Sequence, residues 1–397
     1  MADEARIGGG SGTTAFPRPL VLAVVVAVIV STLLTALAPV YAPGLLRLEH
    51  AMADVRTALL SDQLPSQHPH VAVVGITDHT LSGSKTILPI DRLLLARLVD
   101  ALDGAGVKAI GIDVLFYRTV AADDEQALLE AIRRARARIV LAAADDRVGL
   151  SQAQIERQAA FLAQAGRPAG YVNLATERDW VVRFKARPHP GSAFPRSFAE
   201  LLAEAAGAPP REPRRRIAWL REPRDGSDTF LTVPAEALLS TAETPAVKAL
   251  REALRDKVVI LGGLLPDIDL HLTPLTTRTH ERTPGAVIHS HMVAELIDGR
   301  SVSQLEVGSV VMQLGLAALA CFGFLIGWRY RLKRQGILLG SLATVVILAI
   351  DTFVFWQSRI ILPVVLALAA WFAGEFSGHY LGRWLGHGRS QPMWFGR

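Results

Sequence analysis

The chain is almost without cysteine: Cys321 is the only one in 397 residues. No disulfide can close within it, so any folded part must be held by its own core. Charge is scarce as well, with Asp, Glu, Lys and Arg at 20 % and aromatics at 7 %. Half of the residues are apolar and the mean hydropathy is +0.30, too greasy for an ordinary soluble domain. There is no internal repeat and no Gly-x-Ser-x-Gly nucleophile motif. The "LGG" at Leu261 to Gly263 lacks the Lys-Ser/Thr of a P-loop and the spacing of a dinucleotide fingerprint, so it reads as a turn. No cofactor and no enzymatic activity are expected on these grounds.

The basic excess is misleading. The net charge is +5 and the pI about 9.6. Residues 41–306 hold 32 Lys+Arg against 33 Asp+Glu, a net of −1, and the remainder carries a net of +6. The excess therefore flanks the apolar runs, and a nucleic-acid partner loses its main support.

What is present is four apolar runs, Leu20–Val40, Val307–Trp328, Gly336–Trp356 and Ile360–Tyr380. Each has the ~20 residues that cross roughly 30 Å of hydrocarbon. The first also resembles a signal peptide, but its long apolar core favours an uncleaved anchor. The fourth is the weakest, with Glu375 and His379 in its last turns. The basic "RYRLKR" at 329–334 joins the second and third runs, and positive charge favours the cytoplasmic side. The expected organisation is a cytoplasmic tail (1–19), a first span (20–40) and an extracytoplasmic domain (41–306). Three further spans follow (307–328, 336–356, 360–380), joined by a basic cytoplasmic loop (329–335) and a short outer loop (357–359), with a cytoplasmic tail at 381–397.

Within the large segment, apolar β-branched runs alternate with helical spacing. "HVAVVGITD" (His70–Asp78), "VKAIGIDVLF" (Val107–Phe116) and "RIVLAAAD" read as buried strands, with helices over 89–106 and 122–137 between them. Strand, helix, strand, helix, strand predicts a mostly parallel sheet covered on both faces. Further on, "DWVVRFKARP" alternates like an antiparallel strand, "SFAELLAEAAG" reads as a helix, and "RRRIAWL" and "KVVILGG" read as strands. The arginines of "APPREPRRR" read as a solvated surface.

These motifs carry a resemblance. "VVGITDHTL", "GIDVLF", "ADDEQALLEAI", "GYVNLATERDWVVR", "TFLTVPAEALLS", "KVVILGGLLPDIDLHLTPL" and "PGAVIHSHMVAEL" occur in that order, between one apolar run and three. The chain resembles the CHASE2 family, extracytoplasmic sensory domains of bacterial receptors, over about residues 45–380. The resemblance implies an α/β periplasmic sensory domain with a mixed, mostly parallel sheet, plus four transmembrane helices in the inner membrane. Family members usually precede a cytoplasmic output domain, whereas only the short stretch 381–397 follows the last run here. That implies a separate cytoplasmic effector, or another subunit of a membrane complex, as partner, and a homodimer is expected. Val287 stands where the family usually has Glu, and His291 where it usually has Asn. "TILPIDR" stands where members often carry a Trp-Pro-rich segment.

Several residues are candidates for chemistry. Asp267, Asp269 and His271 alternate, which would place two carboxylates and an imidazole on one side of an extended segment. That donor set suits zinc or manganese and would allow a metal-dependent ectoenzyme; the competing reading is capping after a glycine turn. Asp78 and Asp113 end two strands read as neighbours, where open parallel sheets place ligands, and could read a cationic or hydroxylated molecule. His289 matches the family's usual His and reads as a packed or ligand-edge residue. In the spans, Gly323/Gly327 and Gly374, Gly378 and Gly382 form small-residue stripes that let helices approach closely, within the bundle or between copies. Asp351 is expected to pair with Arg359 near the outer end of the third run.

Overall fold

The computed structural model describes residues 18–37, 42–82, 88–211, 214–240, 244–306, 308–330 and 334–387. Residues 331–333 of the basic loop, residues 1–17 and the tail from 388 on therefore lie outside the described residues. The chain divides into two compact units: a helical one drawn from residues 1–52, 305–354 and 361–397, and an α/β one from 53–304 and 355–360.

The α/β unit is built on a sheet of six parallel strands. In chain order these are β1 (Val71–Ile76), β2 (Ala109–Asp113), β3 (Arg138–Ala143), β4 (Ala169–Tyr171), β7 (Leu231–Pro234) and β8 (Val258–Gly263). Their order across the sheet is β4-β3-β2-β8-β1-β7, and every pairing is parallel. Two short strands, β5 (Leu174–Thr176) and β6 (Val182–Lys185), form a separate antiparallel hairpin. "RRRIAWL" forms less continuous strand than its pattern suggests: Leu220, with Arg221, pairs with Asp62–Gln63, and Arg216 makes single bridges to Phe184 and Val302.

The period-2 pattern sorts each strand's side chains onto two faces. Ala72, Val74, Ile76, Ile110, Ile112, Val259 and Leu261 join one core, with α3 (Arg92–Gly104), α4 (Ala122–Arg134) and α5 (Gln152–Ala165). Val71, Val73, Ala109, Val258 and Ile260 join the other, with α6 (Phe198–Ala205) and α8 (Gly285–Asp298). Fully burying such a side chain stabilises by about 1.5–3 kcal/mol. A further helix, α7 (Pro245–Leu254), precedes β8.

Local chemistry fixes the helix starts. Asp91 caps α3 by accepting from the Leu93 and Leu94 amides, and Ser197 with Glu200 forms a capping box on α6. Gly111 admits α6, because a Cβ there would stand 2.6 Å from Phe198 and Leu202 side-chain carbons.

The α/β unit also buries a charged network. Arg183 on β6 donates from Nε to Asp54 Oδ1 at 2.8 Å and from Nη2 to Asp54 Oδ2 at 2.7 Å. Its other N–H groups reach Glu177 at 2.7 Å and Asp179 at 2.6 Å. Asp54 belongs to α2 (Pro43–Leu60), the helix after the first apolar run. Arg216, expected on a solvated surface, is instead buried 3.7 Å from Asp54, with Nη1 on Gln304 at 3.0 Å. Burial pushes its guanidinium down to about 10. Arg359 has a carboxylate partner in Asp62.

The helical unit contains α1 (Arg18–Thr32, continued by a wider turn to Leu37), α9 (Val310–Tyr330), α10 (Arg334–Ser358) and α11 (Val364–His387). These are the four described helices long and apolar enough to cross a membrane. The last begins at Val364 rather than Ile360, since Ile360–Ile361 are extended. Its start is capped by Glu49 of α2, which accepts from the amides of Val364 (2.9 Å), Val365 (2.8 Å) and Leu366 (3.2 Å). A carboxylate there satisfies three amides that lack an intrahelical partner and suits the helix dipole.

Candidate functional site

Strand order creates a crevice. Strands β2 and β8 are neighbours, yet the chain leaves β2 toward the face of α4 and leaves β8 toward the face of α8. Where connections diverge to opposite faces, the loops part beyond the carboxyl ends of the strands and leave room for a ligand. Here the gap is about 510 Å³. Asp113 ends β2, Gly263 ends β8, and the loop after β8 and helix α8 add Asp269, His271 and His289. Ile90, Val114, Leu115, Leu265 and Ile268 make much of the wall apolar.

Asp113 stands beside Gly262 in the ladder. A Cβ on Gly262 would lie 2.8 Å from that of Ala286 and 3.2 Å from that of Asp113, so the glycine lets β2, β8 and the start of α8 meet at one point. Burial, and then the nearby charge of Asp269, push the Asp113 carboxyl up to about 8. It therefore keeps its proton at neutral pH. His289 is 4 % exposed, and burial pulls its imidazole down to about 4, although the Asp269 carboxylate opposes this. The ring is neutral and meets Phe198 edge-on at 5.5 Å, and its Nδ1 has no partner among the described residues.

The turn after β8 aims Asp269. Its φ of 56° lies in the left-handed region, which Asp tolerates better than most residues. Its carbonyl accepts from the Gly285 amide at 3.0 Å, and its carboxylate lies against the Gly285 Cα, where any side chain would overlap it. His271 Nε2 is 2.8 Å from Asp269 Oδ1. The alternation expected of Asp267, Asp269 and His271 fails at that left-handed residue: the chain turns, and Asp267 is exposed outside the crevice lining. Among the described residues no three His, Cys, Asp or Glu side chains are placed to share a metal ion.

Asp78 and Asp113 do not end neighbouring strands, because β8 inserts between β1 and β2. Asp78 is the exposed first residue of a short helix, Asp78–Leu81, capped by Thr77 and Thr80. Of the six polar residues singled out from the sequence, the crevice brings together Asp113, Asp269, His271 and His289 and leaves out Asp78 and Asp267. It also recruits Arg92, Tyr117, Arg118 and Asn173, which carried no signal of their own. Arg92 ends the "TILPIDR" segment and follows the cap of α3. It is buried over the Phe116 ring at 4.6 Å, and that burial pushes its guanidinium down to about 10. His291, two residues from His289, turns the other way: it packs on Trp219 and Phe230, and its Nδ1 accepts from the Leu220 amide at 3.3 Å.

In the helical unit the glycines of α9 and α11 face one another. A Cβ at Gly323 or Gly327 would overlap the Trp371 or Glu375 carbonyl, and one at Gly374 or Gly378 the Ala320 or Phe324 carbonyl. Gly382 lies under Trp328. Glu375 accepts from Trp371 Nε1 at 3.2 Å.

No curated protein matches the chain, and no solved structure does. A family model described as "CHASE2 domain" matches residues 25–328, a shorter reach than the 45–380 suggested by the motifs at its far end and a longer one at its near end. With four apolar helices, a parallel α/β unit and a family match over most of its length, the chain is a multi-pass membrane protein that belongs to the CHASE2 family of sensory domains.

Proposed function

We propose that this protein is a membrane-anchored sensor that binds a small signal molecule in the β2–β8 crevice and passes the event to a separate cytoplasmic effector. The observation that carries this is the crevice itself. It is a roomy, largely apolar gap at the switch point of a sensory-family fold, lined by polar groups from β2, the loop after β8 and α8. In this reading the α/β unit lies in the periplasm and the four helices in the inner membrane of a bacterium. The near-neutral charge of residues 41–306 and the basic flanks support that orientation. The protein acts without chemistry of its own and works as a homodimer in the bilayer. Such a dimer would use a face other than the glycine stripe, which α9 and α11 occupy within one chain.

A ligand can shift the helices only if it binds two of their arrangements with different affinity. The test is crosslinked capture of cytoplasmic proteins from native membranes, with wild type and with Leu115→Trp, which fills the crevice. Reporter fusions at residue 200 and at the C-terminus fix the orientation. The reading requires residue 200 outside, the C-terminus inside, and a partner whose capture changes in the variant. A partner captured equally by both, as part of a stable complex, would make the protein an assembly subunit instead.

A further inference from the structure

The crevice holds a buried cation that the protein itself leaves unpaired among the described residues. Arg92, the first residue of α3, lines the gap and is 1 % exposed. Its Nη1 reaches the Ile90 carbonyl at 3.4 Å, while Nε and Nη2 have no partner among the described residues. The guanidinium lies over the Phe116 ring at 4.6 Å. The carboxylates whose charge acts on it are committed elsewhere. Glu125 accepts from Arg157 Nη2 at 3.1 Å, and Asp91 accepts from the Leu93 and Leu94 amides. A guanidinium offers five N–H donors, and a buried one is costly to leave unpaired.

The acids of the same crevice make no such demand. Asp269 is half exposed and has His271 Nε2 at 2.8 Å. Asp113 keeps its proton at neutral pH and adds no charge. Both stand on the α8 side of the gap, by Gly262, Gly285 and Ala286, whereas Arg92 lies on Phe116 in the core of α3. The exposed Arg118, over the Tyr117 ring at 5.6 Å, adds a second guanidinium to the lining. Two guanidinium groups against one half-solvated carboxylate favour an anion.

We propose, resting on the crevice as the signal site, that its ligand is a small organic acid whose carboxylate binds Arg92 and whose apolar body fills the gap. The edge of a guanidinium presents paired N–H groups that match the two oxygens of a carboxylate. Turning the Nε–Nη2 edge toward the ligand gives up only the long bond to Ile90. The body lies against Val114, Leu115, Leu265 and Ile268. An alcohol of the same shape brings no charge to Arg92, and an amine brings the wrong one.

The test is calorimetric titration of the full chain in nanodiscs with 3-phenylpropionate, 4-methylpentanoate and phenylalanine. The matched probes are 3-phenylpropan-1-ol, 3-phenylpropylamine, 4-methylpentan-1-ol and phenylalaninol, with phenyl phosphate as a second anion. The expected result is saturable binding of at least one carboxylate. Its matched alcohol or amine should bind at least ~10-fold more weakly, since loss of a charged hydrogen bond in a buried site is worth about that or more. Arg92→Met, which keeps the packing on Phe116, should weaken the carboxylate ~10-fold or more. Arg92→Lys keeps the charge but not the paired donors and should weaken it less. Circular dichroism of each variant separates lost binding from lost folding, and should Arg92→Met misfold, Arg92→Lys and the probe series still decide. The proposal is overturned if no carboxylate of the set binds at millimolar concentration, or if a matched alcohol or amine binds as well. It is also overturned if phenyl phosphate binds more tightly than every carboxylate, or if Arg92→Met folds and binds the carboxylate undiminished. A neutral or cationic ligand whose binding is lost in Leu115→Trp would end the carboxylate proposal and leave the crevice as the signal site.

Discussion

The buried cluster around Arg183 lends itself to a quantitative test. Side-chain exposure is 2 % for Arg183 and 6 % for Asp54, and the pair is bidentate. Replacing Arg183 with Met leaves Asp54 with Arg216 at 3.7 Å and removes the guanidinium that Glu177 and Asp179 share. Breaking a buried pair from one side in this way costs about 3–5 kcal/mol. Asp54→Asn should cost less, about 1–3 kcal/mol, because Arg183 keeps Glu177 and Asp179, both partly solvated. The double variant should cost less than the sum of the two, with a coupling of about 2 kcal/mol. Hydrogen exchange read by mass spectrometry on the full chain, over residues 53–60 and 177–186, reports the local opening free energies. Protection of both segments should fall together in either single variant. The idea that this network locks the end of α2 to the hairpin would be refuted by a coupling under about 0.5 kcal/mol, the level at which independent sites simply add. An Arg183→Met protein as protected as wild type would refute it too.

Asp113 makes a pH prediction. Its folded value, about 8, lies above the ordinary 3.8, so its contribution is complete at low pH and is lost as pH rises through that window. His289 and His291, lowered to about 4 and about 3, act with the opposite sign below about 6.5. The signature of Asp113 is therefore clearest between pH 6.5 and 8. Melts of the full chain should lose stability there, and Asp113→Asn should flatten the profile; water at the open side of the crevice limits the effect to about 1–2 kcal/mol. Gly378→Leu places a side chain on the Phe324 carbonyl and the Trp328 amide, backbone that cannot yield. It should destabilise the α9–α11 pair by at least ~2–3 kcal/mol in detergent melts, whereas Gly315→Leu, with open space at its Cβ, should be near neutral. Glu49→Ala removes the acceptor of three amides and should cost about 2–3 kcal/mol, with exchange rising first at residues 364–366; unchanged exchange there would show that the cap is dispensable.

Much of the architecture is legible in the sequence. Apolar length alone marks four spans, since little else accommodates ~20 predominantly apolar residues in a row. Strand–helix alternation points to a parallel two-faced sheet, and charge arithmetic places the basic excess at the spans. Asp113, Asp269, His271 and His289 could be named as candidates because residue type and position past a strand or at a helix start are local properties.

Tertiary structure alone decided which of them meet. Strand β8 is the last of the six in the chain, yet it inserts between the first two. That non-local pairing removes Asp78 from the neighbourhood of Asp113 and sets Asp269 and His289 there instead. One left-handed residue, Asp269, breaks an alternation that would otherwise have gathered Asp267 into the same cluster. Arg216 looked solvated in a run of arginines, but partners from α2 and from Gln304, far away in sequence, hold it inside. Periodicity reports which face a residue takes within its own element. Which elements share an edge is set by long-range packing, and that is why the polar cluster of the crevice emerged only in the fold.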